Sequence, residues 1–395
     1  GSGKTIKAAR VFNLYQDIKK KLIAGGISAD QIAIINDYAN DEKRAKLFDK
    51  VNAGDIAVVI GRFQPFHNGH AALLAKALET APRVIVVLGS AFAARNAKNP
   101  FGWEERAAMI GCTLDDATRD RVSFVPMRDY YDDVRWAATA TQLVEREMGG
   151  KARVALIGYL KDASSQYLNR FPSWEFIGMS RQGDIDATAL RRVWFEGEDP
   201  EVTRALLAPV LPEAVLHYLR GWAMLPMFER LREEHLAVEE SRKVWGNGPF
   251  ITVDAVVKAA DQILLVRRGR APGKGTWALP GGFLDGRERV LQGAIRELRE
   301  ETGFALLDAT LENALVCTAV FDHPDRSTRA RTITHAHFFD LKDAQPPRVE
   351  GADDAAEAKW VPVAELNRME QQLFEDHYTI LDHFLSLSGT QSAVK

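Results

Sequence analysis

Four short apolar runs set the rhythm of the first half of the chain: Ile56–Ile60, Val84–Leu88, Val122–Val125 and Val154–Ile157. Helical stretches separate them, for example about His70 to Glu79. Strands that read as apolar on both faces, alternating with helices, predict a parallel sheet covered on both sides. Such sheets hold ligands at the carboxyl ends of their strands. From about residue 200 to 245 the pattern turns helical and increasingly charged, as in Phe228 to Lys243, and Gly246-Asn247-Gly248-Pro249 breaks it. Strand signals then return at Ile251–Val257 and Gln262–Val266, followed by one strongly charged helix, Val290–Thr302, and further strands. That is an α+β texture. Ahead of all this, residues 1–54 read as helix (Ile6–Leu22), strand (Gln31–Ile35) and helix (Asp41–Val51). The expected division is an appended segment 1–54, a Rossmann-like α/β domain 55–225, a helical connector 226–248 and an α+β domain 249–395.

Composition narrows the class without changing this picture. A chain of 395 residues has room for about two to four domains. With 51 basic and 54 acidic residues the net charge is -3, which argues against a nucleic acid or other polyanion as partner of the whole chain. No apolar run approaches the ~20 residues that cross a bilayer, and no apolar signal core opens the chain, so a cytoplasmic protein is expected. Cys112 and Cys317 stand alone, forming neither a disulfide framework nor a CxxC zinc motif. The composition sets no oligomeric state.

The first concentration of chemistry is Gly61-Arg62-Phe63-Gln64-Pro65-Phe66-His67-Asn68-Gly69-His70, placed between a buried strand and a helix. Gly61 and Gly69 permit close backbone approach to a ligand. The helix that follows offers free N–H groups and a positive dipole end to phosphate. His67 and His70 can face the same pocket as donors. A zinc pair would need further ligands at suitable spacing, and none lies nearby. This stretch resembles the nucleotide-binding motif of the HxGH nucleotidyltransferases. Arg95–Arg106 resembles the NPF-x-x-ER stretch of the nicotinamide mononucleotide (NMN) adenylyltransferases. Gly158–Ser165 resembles their KD-x-SS segment, Phe171–Trp174 their FP-x-W, and Asp186–Arg192 their late phosphate-binding motif.

That resemblance spans about residues 55–225. It implies adenylyl transfer from ATP to NMN with Mg²⁺, giving NAD and pyrophosphate. His67, His70 and Arg191 would contact the triphosphate, Trp103 would stack on nicotinamide, and Asn96, Arg106, Lys161 and Thr188 are further nucleotide-binding candidates. Two residues depart from the family pattern: Asp186 stands where Ser is usual, and Tyr159 where His is common. A carboxylate beside a triphosphate would repel it.

The second concentration runs from Gly282 through Glu288 to Arg296-Glu297-Leu298-Arg299-Glu300-Glu301-Thr302-Gly303-Phe304. Glu297, Glu300 and Glu301 share one helical face at i, i+3 and i+4. Grouped carboxylates of this kind suit a hard cation such as Mg²⁺ or Mn²⁺, although charge runs on helices are commonly solvated faces. The run matches every position of the Nudix box, GX5EX7REUXEEXGU, and the resemblance to Nudix hydrolases covers about residues 248–388. It implies that Glu297, Glu300 and Glu301 ligate metal, with Glu301 also catalytic, while Arg296 and Glu288 orient them. Asp353, Asp354 or Glu357 would assist from outside the box. Gly273–Trp277 resembles the ADP-ribose pyrophosphatase type, implying hydrolysis of ADP-ribose to AMP and ribose 5-phosphate.

Residues 7–54 resemble a fragment of the C-terminal lobe of superfamily 2 helicases, without its arginine motifs. Gly1–Thr5 holds only part of a P-loop pattern, so a non-catalytic appendage is expected. Two other readings stand beside the two-activity enzyme: a regulator that senses ADP-ribose or NAD without cleaving it, and a nucleotidyltransferase with another acceptor. Intact box carboxylates and the lack of a basic stripe weigh against the regulator.

Overall fold

The computed structural model describes residues 14–24, 55–150, 152–159, 170–180, 185–342 and 344–388. The chain divides into two compact units, Gly1–Gly54 and Asp55–Lys395. In the first unit the described element is helix α1, Leu14–Ala24, which overlaps the end of the predicted first helix. The strand and second helix expected there lie outside the described residues, as does most of the helicase-like stretch.

The second unit contains two sheets. The first is built from β1 (Ile56–Gly61), β2 (Arg83–Leu88), β3 (Val122–Pro126), β4 (Val154–Tyr159) and β5 (Glu175–Met179), in the order β3-β2-β1-β4-β5. All four pairings are parallel. The continuous apolar runs have a direct cause, since alternate residues enter two separate cores. Ala57, Val59, Val84 and Val86 pack with Leu73, Leu74 and Ala77 of helix α2 (Asn68–Thr80). Ile56, Val58, Ile85 and Val87 pack on the other face with Phe171, Trp174 and helix α4 (Asp133–Met148). The FP-x-W segment is therefore core: Phe171 and Trp174 stack with centroids 4.3 Å apart. Strand β5 was not among the sequence expectations; it is a half-exposed edge and lacks an apolar run. The order turns back at β1, whose neighbours β2 and β4 are reached by connections running in opposite directions, and this opens a crevice above their carboxyl ends.

Helices α3 (Trp103–Gly111), α5 (Ala187–Glu196) and α6 (Glu213–Trp222) complete this half. The expected connector is a well-packed 20-residue helix, α7 (Pro226–Trp245). It is anchored at both ends. Arg232 donates to the Phe195 carbonyl at 2.9 Å, and Arg242 donates to the carbonyls of Thr328 and Arg329 at 2.7 and 3.0 Å.

The second sheet is mixed. Its main path is β10 (Leu315–Phe321), β11 (Thr332–Asp340), β6 (Phe250–Ala259), β7 (Gln262–Arg268) and β12 (Ala355–Pro362). Two short strands, β8 (Trp277–Ala278) and β9 (Gly281–Phe283), pair with β7 and β6. Only β6–β11 is parallel among these pairings. Helix α8 (Val290–Thr302) lays Ile295 and Leu298 against Ala255, Val257 and Phe339 on one face. Helix α9 (His377–Leu385) packs Ile380 and Leu381 against Val256, Ile263 and Leu265 on the other. The two halves also meet directly: Arg128 grips Glu370, with Nε donating at 2.6 Å, and Arg135 reaches Asp382 at 3.0 Å.

Candidate active sites

The crevice at the β1/β4 switch point opens into a cavity of about 640 Å³, a size suited to a small-molecule ligand. The HxGH segment forms its floor. His67 caps α2: its Nδ1 accepts the His70 N–H at 3.3 Å, while His70 Nδ1 accepts the His67 N–H at 3.4 Å. The two rings stack with centroids 3.6 Å apart. This reciprocal capping fixes both rings at the helix N-terminus and places the proton of each neutral ring on Nε2. Gly69 lies against the His67 ring, where an added Cβ would stand 3.1 Å from it. The Tyr159 hydroxyl, from the end of β4, donates to the Gly69 carbonyl at 2.6 Å. Tyr159 thus ties the second strand of the switch point to the motif.

Arg191 projects from α5 into the same floor. It donates to the Gln64 carbonyl at 2.7 Å and to Thr188 Oγ1 at 3.2 Å. Burial and the nearby Arg62 pull it down to about 10, so it stays cationic at neutral pH. Asp186 has a structural role at the start of α5. Its carboxylate caps α5, accepting the N–H groups of Thr188 at 3.0 Å and Ala189 at 3.3 Å. Ser and Asp are equivalent N-caps, so the departure from the family residue preserves the cap.

Of the residues singled out in the sequence, Gly61, Arg62, Phe63, His67, Gly69, His70, Asn96, Thr188 and Arg191 all line the cavity. Two expected residues do not. Arg106 is wholly buried below the floor. Its guanidinium donates to the carbonyls of Arg62 (2.7 Å), Gly89 (2.6 Å), Ser90 (3.4 Å) and Gly102 (3.3 Å). It clamps the loops that leave β1 and β2. Trp103 opens α3 and packs against the first core. The rings that line the cavity are instead Phe63, Tyr130, Tyr131, Trp136 and Tyr159. Lys161 lies outside the described residues. Asp129 was missed by sequence reasoning; it lines the cavity and accepts the Ser90 N–H at 3.1 Å. An acid next to Tyr130 and Tyr131 just beyond β3 was the available signal.

In the second half, β9 delivers the chain into the box and α8 carries its acids. Arg296 organises them. Its Nε and Nη2 form a fork on Glu288 at 3.0 and 2.7 Å. Its Nη1 donates to Glu297 at 3.0 Å and Glu300 at 2.8 Å, and Nη2 reaches the Phe283 carbonyl at 3.2 Å. This pairing holds Glu288 below the usual carboxylate range. Glu301 faces the other way and accepts the Gly281 N–H at 3.0 Å. Burial, reinforced by Glu297, pushes its carboxyl up to about 8; burial also raises Glu297. Gly282 leaves room for the Glu297 carboxylate, which a Cβ there would displace. Gly303 ends α8 in the left-handed conformation, φ 61°.

Among the described residues no three carboxylates, imidazoles or thiols already converge on one ion position. The acids of the box are held apart by Arg296 and by the Gly281 amide. The donor set still fits a hard divalent cation: it offers oxygen ligands only, with Glu301 buried and Glu297 and Glu300 beside it on the same helix. Of the acids considered outside the box, Asp354 pairs with Arg270 at 2.8 Å and Glu357 with Arg267 at 3.7 Å. Asp254 was not anticipated. It is buried on β6, close to both Gly281 and His377, and burial raises its carboxyl. A lone acid inside the apolar run of β6 was its signature.

An HxGH floor on a doubly wound parallel sheet, joined to a box helix on a mixed sheet, defines a nucleotidyltransferase coupled to a Nudix domain. A Cytidylyltransferase-like family matches residues 58–139 and the NUDIX domain family residues 248–384. The nicotinamide/nicotinic acid mononucleotide adenylyltransferase of Acinetobacter baylyi is 34% identical over 191 residues, covering 48% of this chain and 98% of that protein. The ADP-ribose pyrophosphatase of Methanocaldococcus jannaschii is 30% identical over 141 residues, covering 36% and 76%. A Francisella tularensis bifunctional NMN adenylyltransferase/ADP ribose pyrophosphatase, solved in complex with AMP and a Mn ion, superposes with a TM-score of 0.76 at 35% identity. That match covers 84% of this chain and 99% of the Francisella chain. The chain belongs to the bifunctional NMN adenylyltransferase/ADP-ribose pyrophosphatase family. Among the described residues no helix is long and apolar enough to cross a membrane.

Proposed function

We propose that the chain carries out both reactions of its family: synthesis of NAD from NMN and ATP, and hydrolysis of ADP-ribose to AMP and ribose 5-phosphate. Residues 55–225 form the adenylyltransferase domain, 226–248 the connector and 249–395 the Nudix domain. The observation that carries the first activity is the paired His67/His70 cap beside Arg191 on the cavity floor.

In the first reaction a phosphate oxygen of NMN attacks the α-phosphorus of ATP and pyrophosphate departs. No protein nucleophile takes part, so catalysis consists of alignment and neutralisation of developing charge. The Nε2–H groups of His67 and His70, the Arg191 guanidinium and Thr188 hold the triphosphate. Arg106 acts beneath them by fixing the two loops. Loss of one donor of this kind costs about 3 kcal/mol of transition-state stabilisation.

In the second reaction water attacks the diphosphate of ADP-ribose. A divalent cation, Mg²⁺ as the physiological choice, polarises the diphosphate and lowers the pKa of water when bound. Glu297, Glu300 and Glu301 would hold it. Arg296 and Glu288 set the side-chain geometry, and Glu301, whose carboxyl is raised to about 8 in the cation-free protein, would release its proton as the cation binds.

The test is to incubate the intact chain with ATP, NMN and Mg²⁺, and separately with ADP-ribose and Mg²⁺. His70→Ala should reduce NAD formation by at least about a hundredfold while ADP-ribose turnover persists. Parallel loss of both activities in a folded variant would refute the assignment of separate sites.

A further inference from the structure

The cavity of the adenylyltransferase half is not closed by that half alone. Five of its lining residues come from the Nudix half: His323, Asp325, Arg326, Thr328 and Glu375. Four of these belong to the loop between β10 and β11, and the loop is firmly built. Buried Arg326 donates twice to Asp376 at 2.9 Å and once to Thr332 Oγ1 at 2.9 Å. Glu375 accepts from Ser327 Oγ at 2.9 Å and from the Thr328 N–H at 2.7 Å.

This loop touches the first half at two side-chain contacts. The His323 ring stacks on Tyr131, with centroids 4.3 Å apart and planes 11° from parallel. Asp325 Oδ1 accepts from Lys98 Nζ at 2.8 Å. Both contacts fall beyond the carboxyl ends of β2 and β3. The opposite end of the cavity, above β1 and at the start of α5, holds His67, His70, Thr188 and Arg191. That end offers the Arg191 cation and hydrogen-bond donors suited to a triphosphate. The other offers aromatic faces and polar groups, suited to a nucleoside that must present its phosphate to the first.

We propose that the β10–β11 loop of the Nudix domain completes the acceptor-nucleotide subsite of the adenylyltransferase, with His323 and Asp325 as positioning residues that set Tyr131 and Lys98. The proposal rests on the adenylyltransferase reading above. Without Asp325, Lys98 would keep its partly buried ammonium without that carboxylate. Without the His323 ring, Tyr131 would lose the surface that holds its plane.

The experiment uses the full-length chain and initial rates of NAD formation, varying NMN at saturating ATP and then the reverse. ADP-ribose turnover on the same samples reports whether the domain carrying the loop is folded. His323→Ala and Asp325→Ala should each raise KM for NMN about tenfold, the equivalent of one good contact, with KM for ATP and ADP-ribose turnover within about twofold of the parent. His323→Phe, which keeps a flat ring for Tyr131, should retain a KM for NMN near that of the parent. Unchanged KM for NMN in both alanine variants overturns the proposal, as do equal rises for NMN and ATP. If the parent chain forms no NAD at all, the adenylyltransferase reading fails and the proposal falls with it.

Discussion

Glu301→Gln separates a metal-binding carboxylate from an acidic residue of the fold, because the two roles predict opposite changes. Glu301 is 8% exposed and accepts the Gly281 N–H. A glutamine oxygen can accept the same bond, so the substitution removes charge and little else. The folded carboxyl titrates at about 8, against about 4.3 in an unfolded chain. Between these values the unfolded chain has released a proton that the folded protein keeps. Stability therefore falls as pH rises through that window and levels off above about 8. At about 1.4 kcal/mol per pH unit over the roughly 2.7 units between 4.3 and 7, the ceiling at pH 7 is about 4 kcal/mol. Glutamine has no proton to release in either state and escapes the whole penalty.

In cation-free buffer at pH 7.5, Glu301→Gln should melt on the order of 5 °C above the parent, and the gain should shrink steadily towards pH 5. Its ADP-ribose turnover should nevertheless collapse. Adding Mg²⁺ should stabilise the parent by preferential binding to the folded state and stabilise the variant much less. Thermal melts at a series of pH values, with and without Mg²⁺, provide the measurement alongside turnover. A stability gain that does not vary with pH would refute the buried-charge argument. Parental turnover with parental Mg²⁺ dependence would remove Glu301 from the site.

Arg106→Leu should leave the carbonyls of Arg62, Gly89, Ser90 and Gly102 without their shared donor, costing on the order of 3 kcal/mol; denaturant unfolding should show the loss, and parental stability would mean the clamp is dispensable. A chain beginning at Asp55 should retain NAD synthesis and ADP-ribose hydrolysis, because residues 1–54 form their own compact unit and hold no completed catalytic motif; loss of either activity in the soluble truncation would contradict this.

The parts of the fold that sequence revealed share a physical origin. β1, β2 and β4 are buried on both faces, and that burial forces an unbroken apolar run that can be read from the residues alone; β3, an edge strand, is half-buried, and Ser123 interrupts its run. β5 has only half of that constraint, and its sequence, Glu175 to Met179, carries no such mark. The box helix was found at its observed limits because the charged face, the apolar stripe of Ile295 and Leu298, and the terminal Gly303 all coincide in one segment.

The sites divide along a different line. Residues whose role depends on local spacing were found: His67 and His70 are three apart because an N-cap and its N3 partner are three apart. Residues whose surroundings depend on chain crossings could not be placed from the sequence. Arg106 belongs to a nucleotide-binding signature, yet its four carbonyl partners come from three separate stretches of chain, so only the fold distinguishes a clamp from a ligand contact. Asp254 becomes a site candidate only when β9 and α9 are laid beside β6. The Nudix loop around His323 is the extreme case, since it reaches the cavity of the other half from about 190 positions away, well beyond any local periodicity. The same distinction applies to Asp186. Its position beside a phosphate motif is legible in the sequence, whereas its role as the cap of α5, accepting from two backbone N–H groups, appears only once that helix is in place.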